Sequence, residues 1–162
     1  MNDEITLREI RPADDPVFAA IVRQSLKDFN ANKAGTVFFD PTTDHMSGLF
    51  KEDRSRYFII EVNGEIAGGG GVFPTAGLPT DTCELVKMYL SSKFRGKGLG
   101  KMLLNKCMET AKELGYSKMY LETLHELTKA IPLYEKTGFK FISHPLGHSG
   151  HNGCDLWMTR DL

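Results

Sequence analysis

The sequence predicts an α+β fold built on one mixed β-sheet, and three observations carry that reading. Segments with strand alternation and segments with helical spacing are interleaved, but not as the regular βαβ repeat of a doubly wound fold. Asn63-Gly64 lies between two β-rich runs, a pair suited to a type I′ hairpin turn, so part of the sheet is antiparallel. The composition, 41% apolar and 25% charged over 162 residues, is that of a globular chain able to bury a sizeable core.

Taken in order, Ile5, Leu7 and Glu9 alternate against Thr6, Arg8 and Ile10 as a short strand that Pro12 ends. Asp14-Asp15-Pro16 is a helix start, and Phe18, Ile21, Val22 and Leu26, with Val17, follow at helical spacing. A shorter helix begins around Asp40-Pro41-Thr42-Thr43-Asp44 and runs through Met46, Leu49 and Phe50. Tyr57–Val62 and Glu65–Phe73 form the hairpin. Its return strand holds four consecutive glycines, Gly68 to Gly71, which mark a bulge or the close approach of another backbone or ligand. Cys83–Leu90 is a further strand. Leu99, Met102, Leu103, Cys107, Ala111 and Leu114 make one apolar helical stripe that Gly115 terminates. Lys118–Thr123 is a strand, 128–136 a helix in which, with Thr128 as N-cap, Pro132 is the fourth helical residue, and Phe139–Ser143 and Asp155–Thr159 the last two strands. The expected order is β-α-α-β-β-β-α-β-α-β-β. No linker or repeat divides the chain, so one domain, 1–162, is expected.

Charge and composition exclude several classes of function. The 20 Lys and Arg against 21 Asp and Glu give a formal charge of −1, which argues against nucleic-acid binding. No apolar run approaches the ~18 residues of a membrane span, and the acidic N-terminus is no secretory signal. Three unpaired cysteines, Cys83, Cys107 and Cys154, suit a reduced, cytoplasmic protein.

The charge is unevenly spread. From Leu85 to Met108 there is no acidic residue, yet Lys87, Lys93, Arg95, Lys97, Lys101 and Lys106 are present. A solvated basic helix face would account for this on charge alone. The segment also contains Arg95-Gly96-Lys97-Gly98-Leu99-Gly100, where a strand runs into alternate glycines and then at once into a helix. Side chains are removed where the free N–H groups and positive dipole end of a helix are exposed, which makes an anion site. A P-loop is excluded, because Met102 stands where Ser or Thr is needed and Arg95 where the first glycine is needed. The dinucleotide fingerprint fails as well, its third glycine falling on Lys101 or Leu103.

The pattern Arg/Gln-x-x-Gly-x-Gly/Ala resembles the acetyl-CoA pyrophosphate loop of the GNAT superfamily of N-acetyltransferases. Glu84-Leu85-Val86-Lys87-Met88-Tyr89-Leu90 resembles that family's fourth strand, and Ala130-Ile131-Pro132-Leu133-Tyr134-Glu135-Lys136-Thr137-Gly138-Phe139 its closing helix. The resemblance covers nearly the whole chain. It implies a sheet splayed between the fourth and fifth strands, with the pantetheine arm pairing against Met88, Tyr89 and Leu90. The diphosphate would rest on the amides of Arg95, Gly96, Lys97, Gly98, Leu99, Gly100 and Lys101. An N–H near Tyr89 or Leu90 would polarise the thioester carbonyl.

By the same resemblance, Glu84 is the general base, working through a water, and Tyr134 the general acid beside the departing sulfur. A lysine-like amine with pKa ~10.4 is neutral in about one molecule in 2,500 at pH 7, whereas an α-amine is neutral in roughly one in five to ten, so the need for a base depends on the acceptor. Other readings of these residues are an exposed strand carboxylate for Glu84 and a packed aromatic beside Phe139 for Tyr134. Glu84→Ala is expected to lower turnover chiefly below about pH 8 and to be partly rescued at higher pH.

The chain departs from the family where Leu127 replaces an asparagine that touches the cofactor arm. His125 reads as a solvent-facing loop residue and Trp157 as a core residue. His144, His148, His151 and Cys154 have zinc-type chemistry, but they are crowded among glycines in a way that disfavours a closed tetrahedron, so no metal is expected. A flexible loop is the expectation there, with His148 or His151 able to reach an acceptor pocket. The expected activity is acetyl transfer from acetyl-CoA to the amine of a small molecule, amino acid or peptide, with no nucleic-acid or membrane partner. A homodimer is in keeping with the family. The alternatives are a non-catalytic acyl-CoA sensor, or transfer to oxygen or of a longer acyl group.

Overall fold

The computed structural model describes residues 2–162. Its elements are β1 (Ile5–Glu9), α1 (Asp15–Asp28), α2 (Met46–Leu49), β2 (Arg56–Val62), β3 (Glu65–Phe73), β4 (Thr82–Leu90), α3 (Leu99–Glu113), β5 (Lys118–Thr123), α4 (Ala130–Lys136), β6 (Lys140–Ile142) and β7 (Leu156–Asp161). This is the expected order. The seven strands form one sheet, β1-β2-β3-β4-β5-β7-β6, in which only β4 and β5 run parallel.

Strand alternation feeds two cores. On β2, Phe58 and Ile60 face α3 and α4, packing with Leu99, Leu103, Leu104 and Cys107, while Tyr57 and Ile59 face α1 and α2, packing with Phe18, Val22, Leu26 and Met46. Each such fully buried side chain contributes roughly 1.5–3 kcal/mol. The start of α1 is tied to the sheet by Arg8, whose guanidinium donates to both oxygens of Asp14 (2.8 and 2.9 Å) and to Glu61 (2.8 Å), while Asp14 also accepts from the Arg11 N–H (2.7 Å).

Several expected boundaries move. The helix expected over 128–136 begins at Ala130, because residues 124–129 form successive tight turns (Leu127 N–H to Leu124 C=O, Ala130 N–H to Leu127 C=O); Pro132 is its third residue, still in the turn that needs no donor. Val17 projects into solvent, since the buried stripe of α1 runs through Phe18, Val22 and Leu26. Trp157 is only half-buried. The β7 residue that fills the core is its neighbour Met158, on the opposite face.

The glycine run serves close approach of neighbouring backbone: a Cβ at Gly68 would run into the Tyr89 carbonyl, and one at Gly71 would stand 2.5 Å from the Arg56 carbonyl. The bulge lies opposite the run and not within it. Two residues of β4, Lys87 and Met88, stand opposite the single Gly70, so β4 carries a bulge. On the other side the Tyr57 ring lies across β3, where a Cβ at Gly69 or Gly71 would stand 2.7 or 2.5 Å from its atoms. Most important for the site, β4 and β5 pair only from Thr82–Glu84 to Lys118–Tyr120 and then part. The remaining β4 edge has no strand beside it.

Candidate active site

A cavity of about 870 Å³ fills the gap between the parted strands. Its walls come from β4 (Glu84 to Leu90), β5 (Leu121 to Thr123), the turn before α3, α4, and two loops on the α1 side.

At one end lies the glycine turn. Gly96 and Gly98 have φ of +78° and +79°, and a Cβ at either would meet nothing within 4 Å, so glycine is needed there for its backbone conformation and not for space. Gly98 caps the fifteen-residue α3, whose first backbone bond runs from the Met102 N–H to the Gly98 carbonyl (3.2 Å), leaving the amides before it to an external acceptor. Gly100 serves differently. A Cβ there would lie 3.1 Å from Leu133, where α3 packs on α4.

The side chains around this turn are less available than the sequence suggests. Arg95 turns back to donate to the Leu90 carbonyl (3.1 Å), stacks on Phe29 and lies 3.5 Å from Asp28. Lys93 is held by Glu65 (2.7 Å), Lys97 leans toward Asp3 (4.0 Å), and Leu99 is a core side chain. Arg95, Gly96, Gly98, Gly100 and Lys101 line the cavity, whereas the Lys97 and Leu99 side chains do not. Lys129, just before α4, lines it too; sequence reasoning missed it because its place on the cavity wall arises from packing, not from chain proximity.

Met88, Tyr89 and Leu90 line the gap as expected. The Leu90 carbonyl is already shared by Arg95 and the Ser25 hydroxyl (3.2 Å), so its acceptor capacity is used.

Glu84 sits on β4 where the strands separate. It is 4% exposed, which removes the reading of it as an exposed strand carboxylate. Burial pushes its pKa up to about 8, with the Glu122 charge adding to the rise, while a hydrogen bond from Thr75 (2.6 Å) and the Lys87 charge oppose it. Tyr134 enters from α4. Its ring meets Phe139 edge-on (centroids 5.9 Å apart), so the packing role is real, but the ring also lines the cavity and its hydroxyl has no hydrogen-bond partner among the described residues. Burial pushes this phenol above its ordinary range.

Beyond Glu84 the cavity wall is a polar network of which sequence reasoning named only His151 as a pocket residue. The buried Lys87 ammonium donates to Thr42 (2.8 Å) and lies 3.9 Å from Asp40; burial lowers its pKa, and the Asp40 and Glu84 charges oppose that. Asp40 also bonds His151 Nε2 (2.7 Å) and the Thr42 N–H (2.9 Å), and these bonds outweigh the effect of burial and hold its carboxyl down to about 2. Glu122 accepts from Tyr120 (2.6 Å) and Ser149. The histidine-rich loop is therefore anchored. The His148 N–H donates to the Ala76 carbonyl (2.6 Å), and the Gly153 N–H to the Gly35 carbonyl (2.9 Å), so the loop roofs the far end of the cavity. His144 bonds Ser143, while His148, His151 and Cys154 line the cavity. The sequence signalled two of its members, Lys87 in the basic segment and His151 in the histidine-rich loop, but not their partners, and those of Lys87 lie some 45 and more residues away in the chain.

Away from the cavity, His125 is exposed between Asp155 and Glu126, as a loop residue is expected to be. Among the described residues no helix is long and apolar enough to cross a membrane.

Comparison with known proteins agrees with this architecture. Residues 20–139 match the Acetyltransferase (GNAT) family. The chain is 40% identical over 158 residues to the uncharacterized N-acetyltransferase YjgM of Escherichia coli (strain K12), covering 96% of this chain and 94% of that protein. Among solved structures, a GNAT-family acetyltransferase from Staphylococcus aureus Mu50 superposes with a TM-score of 0.86 at 20% identity, covering 98% and 99% of the two chains. The PaiA N-acetyltransferase of Thermoplasma acidophilum, solved in complex with coenzyme A, gives 0.77 at 16% identity over 98% and 99%. With the splayed sheet, the glycine turn and these likenesses together, the chain belongs to the GNAT family and is an acetyltransferase.

Proposed function

We propose that the chain transfers the acetyl group of acetyl-CoA to the amine of a small molecule by direct attack. The observation that carries this is the continuity of one cavity past four features: the glycine turn, an unpaired β4 edge, buried Glu84, and the free hydroxyl of Tyr134. The coenzyme suits these features. Turn amides from Arg95 to Lys101, with Lys101 and Lys129, would hold the diphosphate, and the β4 backbone at Met88 and Tyr89 would pair with the pantetheine amides. The PaiA protein, which shares this fold, is solved in complex with coenzyme A, and that supports the coenzyme as the ligand.

Glu84 accepts a proton from the acceptor ammonium, directly or through a water, so that the neutral amine attacks, and its raised pKa of about 8 suits it to that task near neutral pH. Tyr134 donates to the departing sulfur, a phenol being a weak acid for a thiolate of pKa about 8.5, so it contributes orientation as well as a proton. The bulge frees an N–H for the thioester oxygen, which acquires charge as the amine adds. The loops at Gly35 and Gly153 are tied to each other by a backbone hydrogen bond (2.9 Å) next to the cavity-lining Thr36 and Cys154, which supports a small amine over a polypeptide.

The test is release of CoA thiol from acetyl-CoA across a panel of amines, α-amino acids and peptides. Turnover on small amines that Glu84→Gln and Tyr134→Phe both suppress supports the reading. Tight binding of the coenzyme without turnover on any amine identifies a sensor, and faster reaction with alcohols or longer acyl-CoA thioesters redirects the assignment.

A further inference from the structure

Tyr57 reaches the reacting strand from two strands away. It belongs to β2 and pairs with Gly71 of β3, and its ring runs along β3 through the slot that Gly69 and Gly71 leave open. Phe18 (centroids 5.3 Å apart) and Phe50 (4.9 Å) hold the ring from the other side, and the residue is 1% exposed. Having crossed β3, the hydroxyl donates to the Lys87 carbonyl of β4 at 2.6 Å.

That carbonyl belongs to the bulge. Lys87 has φ of +50°, a left-handed conformation that a residue with a side chain rarely adopts, and a bulge takes its residues out of the ladder. A buried carbonyl so displaced needs another donor. Tyr57 supplies it, and burial raises the phenol well above its ordinary pKa, so it remains a donor at any pH the fold tolerates.

The peptide between Lys87 and Met88 is trans, so its C=O and N–H point in opposite directions. Tyr57 holds the C=O from the face of the sheet that packs on α1 and α2. The N–H of Met88 therefore points away from the Tyr57 hydroxyl, and Met88 itself lines the cavity along the β4 edge that β5 has left. A phenylalanine would fill the same slot equally well, so packing alone does not call for the hydroxyl.

We propose that Tyr57 is a positioning residue for acetyl transfer: its hydroxyl, passing over the glycines of β3, fixes the Lys87–Met88 peptide so that the Met88 N–H meets the thioester oxygen. The inference rests on the acetyl-transfer reading of the cavity. It moves the polarising N–H from the expected Tyr89 or Leu90 to Met88, and it gives the glycine run a role in function.

The test is Tyr57→Phe, read in two ways. The first is the carbonyl stretch of bound acetyl-CoA carrying 13C at the thioester carbon, with no amine present. The second is the split between kcat and coenzyme affinity. In the variant the stretch rises as the hydrogen bond weakens, and kcat falls by about 10-fold or more. The dissociation constant for CoA stays within about two-fold, because the diphosphate and pantetheine contacts are untouched. A lowered melting temperature with an unmoved stretch and unchanged kcat shows a merely structural residue and overturns the proposal. Should Tyr57→Phe fail to fold, 3-fluorotyrosine at position 57 keeps the ring and makes a stronger donor. The stretch then moves below that of the wild type, and an unmoved stretch overturns the proposal. A wild type that transfers acetyl to no amine overturns the acetyl-transfer reading and this inference with it, whereas a wild type that transfers while Tyr57→Phe matches it overturns this inference alone.

Discussion

Replacing Glu84 by glutamine removes a proton acceptor while keeping the shape and the hydrogen bond from Thr75. With a carboxyl pushed up to about 8 by burial, Glu84 is ionised in only ~1% of molecules at pH 6, ~9% at pH 7, half at pH 8 and ~90% at pH 9. If it is the base, the ratio of wild-type to Glu84→Gln kcat climbs roughly 90-fold between pH 6 and pH 9, passing half its final value near pH 8, toward a ceiling of about 10²–10⁴. Taking the ratio cancels titration of the acceptor amine, which is common to both enzymes. Steady-state thiol release at saturating acetyl-CoA and amine measures it. A ratio flat with pH refutes the argument, since a structural carboxyl would depress turnover equally throughout. This reverses the expectation drawn from the sequence, in which the loss falls chiefly below pH 8, because the buried carboxyl is largely protonated there.

The same burial predicts a stability signature. The folded carboxyl has a raised pKa, so the unfolded chain releases the proton first, from about 4.5 upward, and wild-type stability falls as pH rises from there to about 8. The accumulated cost has an upper bound of about 5 kcal/mol. Glu84→Gln should therefore gain in Tm relative to the wild type as pH rises from 5 to 8, and a constant difference contradicts the buried, neutral carboxyl.

Other expectations follow from single contacts. Tyr134→Phe keeps the ring on Phe139 and loses only a hydroxyl with no partner among the described residues, so Tm should move by no more than about 2 °C while kcat falls roughly 10–100-fold; equal kcat leaves Tyr134 a packing residue. Gly98→Ala forces a side chain into φ of +79° at a cost on the order of 1 kcal/mol, and calorimetry should find weakened CoA binding with the fold retained. Asp14→Ala strips the paired acceptor from Arg8 and the Arg11 N–H, costing about 2–3 kcal/mol, or roughly 5–10 °C in a thermal melt. Because Asp14 is held below the usual carboxylate range, chiefly by its bonds to Arg8, that stabilisation exists above its unfolded pKa and is lost as pH falls through the folded one.

The order of elements, the hairpin and the glycine turn were readable in the chain because each depends on neighbours in sequence: an alternation, a helical stripe, a turn pair, glycines set just before a helix. Glu84 and Tyr134 were readable as candidates through the family pattern around them. Their chemistry was not, since the raised pKa of Glu84 comes from its burial beside Glu122, and the freedom of the Tyr134 hydroxyl from what the cavity leaves around it. The Asp40–His151 pair joins residues 111 positions apart, and the Tyr57–Lys87 bond spans 30 positions and an intervening strand. Local spacing selects backbone conformation, but desolvation and long-range hydrogen bonds exist only once the sheet has brought distant segments together, and those are what assign each group its charge and direction.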